Sequence, residues 1–335
     1  MDWGFITTQT VSAIFGPLAV FYVLGAQGLN LHYGYTGLLN FGQAGFMATG
    51  AYGMAIASAP ESAGGFGFPL WVGLLVSVLA TVVFALLLGI PTLRLRGDYL
   101  AIVTIAASEI LRIVFRSEAL EDFSGGNSGM NGFARSFYDA NPFSNGYRYQ
   151  FGPFEYLGKD LWVMLVGWAL VVIAAVLTFL LMRSPWGRVL RSIRENEDAV
   201  RSLGKNVFSY KMQSLVLGAL MGAAGGVVLA LYQNLATPDD FGTKATFIAY
   251  TALILGGAAR VGGPIVGGMI FYGFFTFMQV TAGQMAKAEL LPTSIMDDVQ
   301  AGIVPFLLLG LVLMLLVVFR PQGIFGDRRE IELDG

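Results

Sequence analysis

From Trp3 to Pro60 the chain carries no acidic or basic side chain, and His32 is its only histidine. Equally charge-free stretches run over 62–93, 161–182, 212–238, 261–286 and 299–319. Such runs constrain the fold more than any other feature. A hydrocarbon core about 30 Å thick takes about 20 apolar residues of helix rising about 1.5 Å each. Inside it only helices or closed barrels satisfy every backbone N–H and C=O. With 13% charged residues, against about 25% in an ordinary soluble domain, the 335-residue chain is expected to be an all-α integral membrane protein.

We expect a polytopic helical bundle of about eight to ten transmembrane helices forming one domain over 1–335, with some short or broken: the Gly-rich second run and the pair around GGAARVGG (256–263) are the candidates for short, broken or re-entrant helices. Spans are placed near 11–31, 36–57, 70–93, 99–115, 161–182, 212–232, 245–259, 264–283 and 299–319. The start, MDWGFITTQT, lacks the basic region of a cleaved leader, so the first span is expected to be retained.

Several function classes are excluded by composition. No cysteine is present for disulfides or thiolate metal sites, and one histidine leaves little for imidazole chemistry. No catalytic residues and no cofactor are therefore expected on this chain. A net charge of −2 argues against nucleic acid as a partner. No GxxxxGK[ST] phosphate loop occurs, so energy for any active transport must come from another subunit.

Basic residues beside the spans orient the chain. The 183–211 connection holds seven basic residues against the three acids Glu195, Glu197 and Asp198, so it is expected in the cytoplasm. The 116–160 connection holds four basic residues against six acids and is expected outside, and the 320–335 tail inside.

Small residues let membrane helices approach closely. Two ridges at i, i+4 spacing are expected to face other helices: Gly45, Thr49, Gly53, Ala57 and Gly218, Gly222, Gly226, Ala230. Polar groups at membrane depth are costly and worth weighing singly. Asn40 and Gln43, three apart, are read on one helix face, either lining a path or hydrogen-bonding to neighbouring helices as glue. Glu109 and Arg112, also three apart, are read as a structural ion pair, and His32 as an interfacial residue.

The segment SPWGRVLRSIRENEDAVRSLG (184–204) concentrates charge in an otherwise apolar chain. Ser184 suits a helix N-cap, Pro185 the first helical position, and Gly204 the left-handed residue after a helix end. Trp186, Val189, Ile193, Val200 and Leu203 leave a partial apolar stripe. Arginines on anionic lipid are one reading. The acids Glu195, Glu197 and Asp198 would be repelled there, which favours a protein partner.

Four blocks carry a resemblance: GLNLHYGYTGLLNFGQAGFMATGAYG (28–53), LRLRGDYLAIVTIAASEILRIV (93–114), SPWGRVLRSIRENEDAVRSLGKNVFSYKMQS (184–214) and GGAARVGGPIVGG (256–268). In order and spacing the chain resembles the permeases of branched-chain amino acid ABC transporters, and more closely their M-type subunit. The resemblance implies an importer built from two related permeases, two cytoplasmic ATPases that hold ATP and magnesium, and an extracytoplasmic binding protein, in a prokaryotic cell membrane. It also implies that 184–204 is the coupling helix, with Trp186, Arg188, Arg191, Arg194, Glu195, Glu197, Asp198, Leu203 and Gly204 against the ATPase. Asn40, Gln43, Gly45, Ser124, Gly125, Gly126 and Asn127 are the candidates for the substrate path. In FSGGNSGMNGF (123–133) the family more often has a threonine before the paired glycines, and related permeases carry urea, short amides or other amino acids. A self-sufficient channel or ion-coupled carrier is the alternative from another class.

Overall fold

The computed structural model describes residues 2–95, 97–152 and 154–287, with nine further positions between 307 and 325. The ninth expected span and the 320–335 tail lie almost entirely outside the described residues. Among the described residues, five helical stretches are long and apolar enough to cross a membrane. The protein is a multi-pass, all-α membrane protein.

The first expected span is longer than read and bent. Helix α1 (Trp3–Phe15) starts on Asp2, whose carboxylate accepts the Phe5 N–H at 3.0 Å, and α2 (Pro17–Leu29) follows after Gly16. Pro17 has no N–H to continue the ladder, so the chain turns at the extended Gly16. Asn30–Tyr35 then widens into a π turn.

The second expected span is helical only from Gln43. Thr36 to Gly42 is irregular, and α3 (Gln43–Ser58) starts inside the protein. Irregular backbone at this depth needs protein groups to satisfy it. Periodicity does not place the break, because Asn40 and Gln43, three apart, read as one helix face in a segment otherwise apolar or small.

Helix α4 (Leu70–Thr92) leads to α5 (Gly97–Arg116). The connection to the next long helix holds α6 (Glu121–Ser124), β1 (Met130–Asn131), α7 (Arg135–Asp139) and a hairpin of β2 (Arg148–Phe151) with β3 (Phe154–Leu157). Burial, with the Asp160 carboxylate nearby, pushes the Tyr138 hydroxyl up to about 12. It therefore stays protonated and donates to Leu231 O at 2.7 Å, tying this connection to the bundle.

Helix α8 (Gly158–Arg183) carries the chain to the opposite end, where α9 (Pro185–Glu195) and α10 (Glu197–Ser202) lie. The return helix α11 (Val207–Gln233) ends beside β4 (Leu235–Ala236), in which Ala236 pairs with Met130 of β1. Helix α12 (Thr243–Gly256) has 14 residues, about 21 Å, and stops at Gly257, whose φ of 102° no other residue readily adopts. Helix α13 (Gly263–Lys287) turns back from there.

Helices α3 and α11 form the centre. A Cβ on Gly50 would stand 2.3 Å from Ala223 O, so the two backbones touch. Gly45 lies against Ser108 and Phe84, Gly53 against Ser77, Gly218 against His32 and Gly222 against Gln43. Outside this centre α4 and α8 present Leu79, Leu87 and Leu180 to the surroundings with more than half of each exposed, an apolar exterior suited to lipid.

Candidate functional site

The irregular Thr36–Gly42 segment exists because side chains from distant elements bond it. Thr104 Oγ1 of α5 accepts the Phe41 N–H at 3.0 Å, and Thr246 Oγ1 of α12 accepts that of Ala44 at 2.8 Å. Asn40 folds its Oδ1 onto Gly42 N, while its own carbonyl accepts from Tyr250 OH at 2.9 Å. Asn30 clamps the far turn, donating to Arg260 O at 2.9 Å and accepting from Ala259 N at 2.8 Å.

His32 is not interfacial as expected; it is 0% exposed. Its Nε2 lies 3.0 Å from the carbonyl of Leu215. A carbonyl only accepts, so Nε2 carries the proton and Nδ1 accepts from Asn40 Nδ2 at 3.0 Å. Gln43 donates at 3.3 Å to Gly25 O and Gly218 O. Asn40 and Gln43, read on one helix face, thus sit on a non-helical residue and a helix start, both enclosed and serving as interhelical glue. The chain's reversal into α3 requires this, and no local spacing signals it.

The other path candidates lie elsewhere. Ser124 Oγ donates toward Phe115 O and Leu120 O at 2.8 and 2.9 Å, and Gly125 and Gly126 take positive φ to close the turn at the end of α6. Asn127 is exposed. Gly42 and Gly45 instead abut Thr104 and Ser108, farther down α5. The structure does not gather the seven candidates into one site.

Glu109 and Arg112 do pair, Nε to Oε2 at 2.8 Å, and Arg112 also reaches Asp239 at 3.0 Å. Thr243 donates its N–H to Glu109 at 2.9 Å and its hydroxyl to the same oxygen. The carboxylate therefore caps α12, where the helix dipole favours a negative charge. Asp239 and Thr243 were not singled out in the sequence. They lie about 130 residues from α5, beyond any local spacing. Among the described residues no three of His, Asp and Glu converge to hold a metal ion.

The expected single helix over 184–204 is two. Asn196 is extended (φ −154°, ψ 100°), ends α9, and caps α10 by accepting Ala199 N at 2.9 Å. Ser184 makes no side-chain cap. Its hydroxyl donates back to Leu181 O at 2.7 Å, closing α8. Pro185 takes the first helical position and Gly204 is left-handed at φ 76°.

Ile193, Val200 and the unforeseen Leu190 are buried, whereas Leu203, expected on the same stripe, is 80% exposed because α10 turns away after Asn196. Trp186 Nε1 donates to Gln213 at 2.8 Å. Arg188 and Glu195 are exposed, and Arg191 lies 5.8 Å from the Tyr35 ring. Arg194 Nη1 donates to Gly34 O at 2.7 Å. Glu197 is held by Arg201 at 2.7 Å and by Lys211, whereas Asp198, 91% exposed at its side chain and 3.3 Å from Arg201, faces outward together with Glu195. A cavity of about 580 Å³ separates this pair of helices from Arg94 and Leu95, between α4 and α5.

Comparison with known proteins adds to this geometry. Over 334 residues the chain is 28% identical to the high-affinity branched-chain amino acid transport system permease protein LivM of Escherichia coli, covering 96% of this chain and 71% of that one. It is 25% identical to the probable branched-chain amino acid transport permease protein LivM of Methanocaldococcus jannaschii, covering 96% and 95%. It is also 26% identical to the nucleoside ABC transporter permease protein NupC of Lactococcus lactis, covering 78% and 79%. The model of the family described as branched-chain amino acid transport system / permease component matches residues 15–318, which takes in both the buried break and the α9–α10 pair. A bundle with a helix break at its heart and a charged pair of helices at one end is thus the form taken here by a member of that permease family, to which this chain belongs.

Proposed function

We propose that this chain is the membrane-spanning permease subunit of an ATP-driven importer of branched-chain or similarly hydrophobic amino acids, in the cytoplasmic membrane of a prokaryote. Its family is one of transport permeases rather than enzymes and implies ATPase subunits as partners. A second, related permease and an extracytoplasmic binding protein complete the assembly, with ATP and magnesium held by the ATPases and none on this chain.

One observation carries the reading. Arg194 of α9 donates to Gly34 O in the π turn, directly before the irregular Thr36–Gly42 segment. A push on α9–α10 by an ATPase would reach the helix break that precedes α3. Packed elements shift between discrete arrangements more readily than they deform. The break, satisfied by side chains instead of a helical ladder, is where such a shift costs least. Asp198 and Leu203 face outward for docking, while Glu197 holds α10 to Lys211.

The test is uptake of labelled leucine, urea, acetamide and uridine by the reconstituted complex with and without ATP. Leucine uptake requiring ATP supports the reading. Uridine uptake in its place would assign the nucleoside chemistry of the Lactococcus relative, and uptake by this chain alone without ATP would make it a carrier or channel. Within the same complex, Asp198→Arg should lower ATPase copurification and leucine uptake while membrane insertion stays intact. Unchanged copurification and uptake would remove α9–α10 from the docking role.

A further inference from the structure

Charge stands along α5, which takes in the expected span 99–115. About 18 Å of helix lies between Gly97 and Glu109, and about 10 Å between Glu109 and Arg116. On the same helix Ile110 and Ile113 are 61% and 59% exposed. Ionisable side chains at such depth are tolerated when they pair or face water, and they mark substrate paths. Here two cations, Arg112 and Arg116, meet two anions, Glu109 and Asp239, with Asp239 shared between both arginines at 3.0 and 3.5 Å. The cluster is neutral but not closed. The side chains of Arg112 and Glu109 are 22% and 27% exposed, and that of Asp239 is 63% exposed.

An aromatic row continues from the cluster along α12. Thr243, which binds Glu109, is followed at i+4 and i+7 by Phe247 and Tyr250, on one helix face. Phe247 is 49% exposed, and its ring lies 5.5 Å from that of Phe41, which stacks on Tyr250 at 4.7 Å. Tyr33, near the α9–α10 end, lies 6.0 Å beyond Tyr250. The face therefore offers paired opposite charges at one end with the half-exposed Phe247 beside them, backed by Phe41 and the buried Tyr250.

We propose that this face is a binding subsite for the zwitterion of a hydrophobic α-amino acid. Its carboxylate takes the Arg112 fork in place of Asp239, its ammonium takes the released Asp239 carboxylate, and its side chain lies on Phe247 and Phe41. The proposal rests on the importer reading above. The charge count selects the ligand class. A zwitterion opening the Arg112–Asp239 pair gives each charge a new opposite partner, whereas a simple cation or anion engages only one side of the opened pair, Asp239 keeping Arg116 at 3.5 Å. The planar guanidinium matches a carboxylate through two parallel bonds, which an ammonium group cannot do.

Because the chain has no cysteine, Phe247→Cys supplies a single thiol. The experiment follows its labelling by a membrane-impermeant thiosulfonate in vesicles that carry the full chain with its co-expressed subunits. The thiol should label, since the face is wetted, and leucine should slow labelling. Leucinamide and 4-methylpentanoate, each lacking one charge of the zwitterion, should not. In an Arg112→Gln background protection should be lost while labelling without leucine persists. If that variant fails to insert, Arg112→Lys keeps the charge without the fork, and should raise the leucine concentration for half-protection about tenfold or more.

Absence of labelling, equal protection by either analogue, or protection surviving Arg112→Gln overturns the subsite. So does slower labelling in phosphatidylethanolamine than in phosphatidylglycerol vesicles with no effect of leucine, which would assign the face to a zwitterionic lipid headgroup. ATP-driven uptake measured on the same vesicles separates the two readings. Protection without such uptake keeps the subsite and removes the importer, whereas uptake without protection does the reverse.

Discussion

At Gly226 there is no room for a side chain, since a Cβ there would stand 1.9 Å from the carbonyl oxygen of Met47. The contact is backbone to helix backbone and cannot be relieved by turning a rotamer. Gly226→Ala is therefore expected to lower stability by about 1–3 kcal/mol, the usual range for overpacking. Gly283, on α13, has nothing within 4 Å of the same position. Gly283→Ala should leave stability unchanged to within about 0.5 kcal/mol or raise it slightly. Thermal unfolding midpoints of the two variants in detergent, side by side, check this; a larger loss at Gly283 would contradict the packing described. The glycine ridge is visible as i, i+4 spacing in the sequence. Which glycines carry the closest contact is decided by where α3 crosses α11.

At the scale of elements, the break before α3 and the pair α9–α10 belong together. The π turn, the irregular segment and Arg194 make one continuous piece from the charged end of the bundle to Asn40 and Gln43. Arg194→Gln removes the charged donor to Gly34 O while leaving α9, with Leu190 and Ile193 buried, on the bundle. The expected result is a complex that still copurifies with its ATPases and hydrolyses ATP, yet imports several-fold less per ATP. The check is the ratio of uptake to hydrolysis in proteoliposomes. An unchanged ratio would take the lever out of the proposed mechanism. The charged segment itself was legible from Ser184 to Gly204, and its end at Gly204 is a left-handed glycine as read. The division at Asn196 was not, because Asn suits a helix cap and a charged helix face about equally until the tertiary path demands a turn.

Across the whole molecule, exposure sorts the outer helices into two kinds. Helices α4 and α8 expose mainly aliphatic faces, with Trp71 and Phe179 near their ends, whereas α5 and α12 expose ion-paired side chains and a ring along their length. Leu79, 63% exposed near the middle of α4, stands between the exposed Leu75 and Val83 of the same helix face. Leu79→Arg should cost about 2.5–3.5 kcal/mol of insertion free energy, the value typical at a helix centre. It should appear as a loss of inserted protein in membrane fractions. Insertion at the level of the unaltered chain would mean that this face is covered by protein and is not lipid-facing.

The sequence by itself determined the class of the molecule, since charge-free runs of about 20 residues admit only a membrane bundle. It also carried the family, through four blocks whose order is local and linear, and the Glu109–Arg112 pair, which lies within one helical turn. The tertiary structure alone decided what those residues meet. Asn40 and Gln43 are glue because Tyr250 and Gly218 arrive from about 200 residues away, and His32 is enclosed for the same reason. Phe41, Phe247 and Tyr250 form a row, and Asp239 joins Arg112, only once α5 and α12 stand beside the broken start of α3. Hydrophobic periodicity records which way a helix faces, but in a chain apolar on every side it fades, and close approach between distant segments decides the rest.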